Sequence, residues 1–383
     1  MRDLFAIYVH WPFCKKKCPY CDFNSHVSDD INHEAWAHAY LRELDYIHTK
    51  TKGRRVSSIF FGGGTPSLMQ PETVEKIISH IQKKWSITNH IEITLEANPT
   101  SIEAKKFEAF KAAGINRISI GAQSLRDDDL KFLGREHSAK EAIASVDLAN
   151  QIFDRVSFDL IYARPEQTLE DWKNELHEAL KYTTGHLSLY QLTIEQGTPF
   201  YTQHARGDFW IPEADQAGDF YEATQEILGT ANMPAYEISN HAAMGQESVH
   251  NLAYWQYADY IGVGPGAHGR LTIDGQKFAT RTHRAPDIWL DKVEKHHHGY
   301  HDFEKISADE SFTEMVMMGM RLKDGIPYSR IEELTNKNWQ ECLRMDKILS
   351  LENEGYIIQT KTHLKPTQEG MQRLNGLLSF LLV

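Results

Sequence analysis

The sequence predicts an α/β fold, a partial or complete β/α barrel of six units, with a smaller α+β module behind it. Two observations predict it. Short apolar runs alternate with amphipathic stretches of about 12–18 residues, the rhythm of parallel strands joined by crossover helices. Polar or glycine-rich segments recur directly after successive runs, where a barrel gathers functional groups at the C-terminal ends of its strands. A doubly wound open sheet shares that periodicity, and both architectures stand at this point.

Strands are expected at Leu4–Val9, Ser57–Phe61, Ile91–Glu96, Arg117–Ile120, Val156–Ile161 and His186–Leu192. Helices are expected between them at Asn32–His48, Pro71–Lys84, Ile102–Ala113, Ala139–Ile152 and Leu169–Tyr182. Pro71 suits a first helical turn, where its missing N–H costs nothing, and Gly114 suits a helix end. The barrel domain is set at residues 1–270, a connector or hairpin at 271–303 and the C-terminal module at 304–383. That module reads as helices Phe312–Met320, Tyr328–Thr335 and Trp339–Glu354, strands Tyr356–Gln359 and Lys361–Lys365, and a helix Thr367–Leu382. Three helices with a small β wing make it winged-helix-like. Cys342 reads as a buried structural thiol within the third helix.

At 41% hydrophobic and 25% charged, the chain can bury a core and lacks the composition of a disordered one. It has no apolar run of about 18 residues and no signal-peptide h-region, so a cytoplasmic address is expected, where thiols stay reduced. The formal charge of −12 argues against nucleic acid as a partner, because such binding rests on Lys and Arg neutralising phosphates. Lys15, Lys16 and Lys17 read as a solvated loop or as a positive field that guides an acidic electron donor. The His296-His297-His298 run reads as incidental on a solvated helix.

Cys14, Cys18 and Cys21 fall within eight residues, and Cys342 is the one other cysteine. Bunched thiols in a reducing compartment are metal ligands rather than disulfide partners. A closed structural site takes four protein ligands, so C-x3-C-x2-C points to a [4Fe–4S] cluster with three irons held and one free. A Cys3His zinc knot using His10 or His26 is the alternative.

The remaining candidates sit at equivalent places. Gly62-Gly63-Gly64-Thr65-Pro66 follows the second run, Glu96-Ala97-Asn98-Pro99 the third and Gly121-Ala122-Gln123-Ser124 the fourth, while Asp159 lies in the fifth. Singly, the glycines are a tight turn, Glu96 a solvated strand end, and Gln123 and Asp159 helix caps. Their recurrence at one βα position argues for a shared rim, where bare glycine backbone lets a ligand approach closely.

These residues carry a resemblance. Tyr8-Val-His10-Trp-Pro-Phe-Cys14-x3-Cys18-Pro-Tyr20-Cys21, followed by Gly-Gly-Gly-Thr-Pro, resembles the radical S-adenosylmethionine (SAM) superfamily, and within it the oxygen-independent coproporphyrinogen III oxidase branch. The likeness continues through Leu133–His137, Asp159–Tyr162, Tyr190–Phe200 and Gly262–Gly269. It implies a partial (β/α)6 TIM-like barrel with a [4Fe–4S] cluster on Cys14, Cys18 and Cys21. SAM would chelate the fourth iron and, on receiving one electron, split into methionine and a 5′-deoxyadenosyl radical. Tyr8, Gly63 and Glu96 would contact that SAM; Tyr20, Gly64, Thr65, Gln123, Arg135 and Asp159 match positions lining the oxidase's adjoining site.

Two departures point away from the oxidases. Phe23 stands where they carry a further cysteine, and the chain reaches its first strand by about Leu4, without their N-terminal extension. Both features, with His250-Asn251-Leu252-Ala253-Tyr254-Trp255, resemble the haem chaperones of the HemW group. That resemblance implies haem as a further cofactor, with His250 as candidate ligand, haem-accepting proteins and an electron donor as partners, and peripheral membrane association through client proteins. Coproporphyrinogen oxidase activity is the disfavoured alternative. Arg164, where relatives carry Gly-Leu-Pro, reads as an ordinary salt bridge or as a partner for an anionic ligand at the rim.

Overall fold

Phe5–Trp11 forms β1, and all its residues except Tyr8 are buried, as fits a central parallel strand covered on both faces. The computed structural model describes residues 4–28 and 30–382; the domain ends set at residues 1 and 383 lie outside that range. From β1 the chain alternates as expected, except that the helix expected over Ile102–Ala113 is broken into Ser101–Ala104 and α3: α1 (His33–His48), β2 (Arg55–Gly63), α2 (Pro71–Lys84), β3 (Ser86–Ala97), α3 (Phe107–Ala112), β4 (Arg117–Gln123), α4 (Ala139–Ile152), β5 (Arg155–Tyr162), α5 (Leu169–Ala179) and β6 (His186–Gln191). Local chemistry sets the helix starts. Pro71 opens α2, and capping boxes Ser138/Glu141 and Thr168/Asp171 open α4 and α5, each satisfying two N–H groups that would otherwise lack partners.

Beyond β6 come α6 (Ala214–Thr230), β7 (Asn240–Ala242), α7 (Val249–Trp255), β8 (Asp259–Val263), β9 (His268–Ile273), β10 (Gln276–Arg281), α8 (Pro286–His296) and β11 (Glu304–Lys305). All eleven strands form one sheet in the order β11-β10-β9-β8-β1-β2-β3-β4-β5-β6-β7. Strands β8, β1 and β2 to β6 run parallel, and the two edges are antiparallel extensions. The barrel is therefore partial, as expected. It has a parallel strand the six-unit reading lacked: β8 lies partly in the stretch read as a glycine loop. The stretch read as a connector supplies β9, β10 and α8 to the same sheet and its flank.

The C-terminal module comprises α9 (Ala308–Gly319), β12 (Ile326–Pro327), α10 (Tyr328–Thr335), α11 (Met345–Asn353), β13 (Ile357–Gln359), β14 (His363–Pro366) and α12 (Leu374–Leu382), with a three-stranded sheet ordered β12-β14-β13. Its own core includes Val316, Ile331, Ile348, Leu364 and Leu378. The helix expected over Trp339–Glu354 is interrupted, because Leu343 turns extended and buries its side chain. Cys342 is half-buried there and donates to Thr335 Oγ1 at 3.4 Å. No helix among the described residues is long and apolar enough to cross a membrane.

Candidate metal and cofactor site

The C-terminal end of β1 runs directly into the cysteine loop. Phe13 and Cys14 pair in parallel with His26 and Val27, which closes the loop at its base. Cys21 N donates to Cys18 O at 3.2 Å. The glycine triplet packs underneath: Gly64 N donates to Trp11 O at 2.7 Å and Thr65 N to Phe13 O at 2.8 Å. A Cβ on Gly64 would stand 2.6 Å from Phe13 O and 3.1 Å from the Cys14 sulfur. Gly63 adopts φ +113°, and a Cβ there would meet the His10 ring at 2.6 Å. These glycines are required by close approach, beyond the needs of a turn.

The thiols have distinct neighbours. Thr65 Oγ1 donates to the Cys14 sulfur at 3.4 Å. Arg135 donates from Nη1 to the Cys18 sulfur at 3.3 Å and from Nη2 to Asn98 Oδ1 at 2.6 Å and Gly121 O at 3.0 Å, so one guanidinium ties the cysteine loop to β4. Tyr20 lies beside Cys18 and Arg135, its ring 6.2 Å from that of Phe200. Burial pushes the Cys14 and Cys21 thiols up, and the neighbouring cysteines add to the rise.

The zinc alternative fails on its histidines. His10 Nε2 lies 2.9 Å from the carbonyl of Asn24, which can only accept, so Nε2 carries the proton. Burial lowers this histidine's pKa to about 4, and the neutral ring's Nδ1 accepts from the Tyr8 hydroxyl at 3.2 Å. Both nitrogens are engaged. His26 Nε2 is bonded to Asn24 Oδ1 at 3.3 Å. Among the described residues, no three His, Cys, Asp or Glu gather closely enough for a single metal ion. Three soft thiols along a loop, with neither histidine offered to them, fit a [4Fe–4S] cluster rather than a Cys3His knot.

Two carboxyls face this loop. Glu96, ending β3, accepts from Gly63 N at 3.2 Å; burial pushes its pKa up to about 8, and Asp159 adds to the rise. Asp159 accepts from Ser119 Oγ at 3.4 Å and is raised to about 6, chiefly by burial. Tyr8 is held well above the usual phenol range by burial and by Glu96. Carboxyls raised in this way are poised to receive a cationic ligand, which would restore their ionised forms. Gln123 sits at φ +69° where the β4–β5 register slips, a bulge that re-aims its side chain at the rim.

The mouth thus gathers Tyr8, Cys14, Cys18, Tyr20, Cys21, Gly63, Gly64, Thr65, Glu96, Gln123, Arg135 and Asp159. His250 is not among these groups, though its ring lies 6.2 Å from that of Tyr8. It lies on α7, which crosses the opposite end of the barrel, anchored by the buried Glu92 carboxylate. Glu92 accepts from Ser248 Oγ at 3.3 Å, Val249 N at 3.1 Å and His250 N at 3.0 Å, and pairs with Arg155 Nη1 at 2.6 Å. His250 is 3% exposed, its Nδ1 3.0 Å from Ser58 Oγ and its ring 4.8 Å from Phe60 and 5.2 Å from Tyr254. Its Nε2 has no hydrogen-bond partner among the described residues, and burial lowers its pKa to about 3. Arg164 is not at the rim either: 2% exposed, it pairs with Glu175 at 2.6 Å and Asp129 at 2.7 Å, the ordinary salt bridge. Sequence reading missed Glu92, Arg117, Arg155 and His186 on the inner face. The signal was present as polar residues at every second position of apolar runs, as in Glu92-Thr94-Glu96 and Arg155-Ser157-Asp159.

The radical SAM superfamily profile matches residues 8–179, and the HemN C-terminal domain profile matches residues 306–373. The Escherichia coli protein named heme chaperone HemW is 35% identical over 98% of this chain and 98% of its own length. The chain belongs to the HemW-like family of radical SAM proteins. Another member is the bovine radical S-adenosyl methionine domain-containing protein 1, named mitochondrial, at 37% identity over 98% of this chain and 87% of that one. Among solved structures, coproporphyrinogen III oxidase (HemN) of Escherichia coli superposes with a TM-score of 0.81 at 20% identity, covering 98% of this chain and 89% of that one, which shows the common fold. Membership in the superfamily implies a [4Fe–4S] cluster and SAM. Phe23, the residue expected to set the chain apart from the oxidases, is 60% exposed to solvent.

Proposed function

We propose that this chain is a haem chaperone: it holds a [4Fe–4S] cluster and SAM at the barrel mouth and binds haem for delivery to haem-requiring proteins. Full-length likeness to proteins named heme chaperones carries the reading, and Phe23 at the oxidases' cysteine position supports it. Cys14, Cys18 and Cys21 would ligate the cluster; Tyr8, Gly63 and Glu96 would contact SAM on the remaining iron. When bound, the pair supplies one-electron cleavage of a sulfonium bond. The chain's own part is to orient: Arg135 and Thr65 hold the sulfurs, while Gly63 N holds the Glu96 carboxyl. Tyr20, Gly64, Thr65, Gln123, Arg135 and Asp159 would line the adjoining space.

His250 has the right donor chemistry for iron, since its ring is neutral and its Nε2 has no partner. Enclosed between Phe60 and Tyr254, it offers no face to a macrocycle in this conformation. The domain division and the cytoplasmic address belong to the same proposal, as do the electron donor and the client proteins. Two measurements test it. Anaerobic reconstitution is expected to give about four irons and four sulfides per chain, whereas tight zinc without sulfide would defeat the cluster assignment. Haem titration of the full-length protein is expected to give a saturable Soret band; no uptake, together with protoporphyrinogen formed from coproporphyrinogen III and SAM, would replace the chaperone with an oxidase.

A further inference from the structure

A large groove lies between the lower end of the barrel and the C-terminal module. Its volume is about 1200 Å³, above the range of about 300–1000 Å³ common for small-molecule sites. One wall comes from the barrel side and includes Tyr236, Met244, Leu252 and Trp255; the other comes from the C-terminal module and includes Leu322, Ile326 and His363. Helix α7 divides two environments. It sends His250 inward against Phe60, while Leu252 and Trp255, on its opposite face, line the groove.

The chemistry of the groove is specific in two respects. First, its walls carry aromatic and aliphatic surface, and Arg321 lies 5.7 Å from the Trp255 ring centroid, with Lys323 and Arg330 in the lining. Glu247 and Asp324 balance those two charges in the lining, and Arg330 pairs with Glu333 at 2.9 Å and donates to Tyr257 O at 3.1 Å, so Lys323 is the local anchor. Second, each wall presents an iron donor that the fold does not use. His363 Nδ1 lies 2.8 Å from Thr362 Oγ1, and Nε2 makes no hydrogen bond among the described residues. When Nδ1 donates to that hydroxyl, Nε2 carries the lone pair that metals take. Met244, a thioether 98% exposed, also lines the groove, from the loop after β7. Histidine and methionine together are an established axial pair for haem iron.

We propose that this groove is the haem site, with His363 Nε2 as the iron ligand, Met244 as the second, and the porphyrin face lying along Trp255 and Leu252. The assignment rests on the haem-chaperone reading and supplies its location. A flat, largely apolar macrocycle matches the walls, a propionate matches Lys323, and the iron meets donors from both domains. Because the donors lie at the groove's surface, haem can enter and leave without unfolding the barrel, as delivery requires.

The test is haem titration of the full-length apo-protein, following the ferric and CO-ferrous Soret bands, for wild type and for His363→Ala, Met244→Ala, Ser329→Trp and His250→Ala. Ser329 is an exposed lining residue, so a tryptophan there obstructs the groove without disturbing a core. Thermal melts check that each variant is folded. His363→Ala is expected to shift the Soret band and weaken binding by roughly tenfold or more, and Ser329→Trp to weaken it comparably. Met244→Ala should alter the ferrous band, and His250→Ala should leave band position and affinity unchanged. Wild-type behaviour of the three groove variants, with loss on His250→Ala alone, would overturn the groove assignment and leave the chaperone reading standing. Failure of the wild type to take up haem would overturn that reading itself.

Discussion

The two ends of the barrel are built on different physical terms. At the mouth, the cavity beside Cys18, Asn98, Arg135 and His137 is small, about 130 Å³. Several polar groups there are already aimed by one another. Arg135 alone reaches three partners on three elements. At the lower end, α7 closes the barrel by burying Glu92 and His250, and the groove beyond it is roomy and mostly apolar. The contrast teaches what each end can recognise. Directional bonds select a small ligand with many polar atoms, whereas an open apolar groove selects by area and shape.

Four substitutions probe that separation, beginning with the largest effect. Cys18→Ser should abolish stable cluster assembly, lowering iron and sulfide from about four each to less than half. Its haem titration should stay at the wild-type level; parallel loss of haem would show that the ends are not independent. Gly64→Ala should cost about 1–3 kcal/mol in thermal or denaturant unfolding, because the added methyl must displace the Phe13 carbonyl or the Cys14 sulfur. A melt indistinguishable from wild type would show that the loop yields freely.

Glu96→Gln addresses the electrostatics of the mouth. The folded pKa of Glu96 is raised from 4.5 to about 8, so its contribution to stability is fully present below about pH 4.5 and is lost as pH rises through 8. The wild-type apo-protein should therefore lose stability relative to Glu96→Gln across that window, by on the order of a few kcal/mol. Equal pH profiles would mean that Glu96 ionises freely in the fold. The smallest effect is expected for Phe23→Cys. An exposed ring contributes little, so stability should change by less than about 0.5 kcal/mol, and coproporphyrinogen turnover should stay at background. Measurable turnover would make that single position the determinant of activity.

Much of the mouth was legible because its signals are local. The cysteines share one loop, and each later rim residue follows its own apolar run, so the βα rule placed them together without knowledge of any contact. The lower end was not legible. Strand β8 is five residues long and arrives after a long excursion, so nothing near Asp259–Val263 announces that it completes the parallel sheet beside β1. His250 precedes an apolar stretch typical of many helices, and only the buried Glu92 carboxylate beneath it reveals which way it faces. The groove is assembled from segments spread from Gly229 to His363, and no spacing rule links them. The break at Leu343 follows from tertiary demand on one side chain, which a helical pattern does not record.

The position of β1 has a consequence for how the protein is made. Its residues pair on one side with β2 and on the other with β8, Phe5 lying opposite Asp259 and Val9 opposite Val263. The strand that carries the cysteine loop thus gains its second neighbour only from a segment about 250 residues further along the chain. Such a distant pairing is slow to form, and a chain waiting for it exposes an unpaired sheet edge. Until β8 docks, the thiols hang from a half-supported strand. A cluster on these thiols would therefore gain its full support only once β8 has docked beside β1.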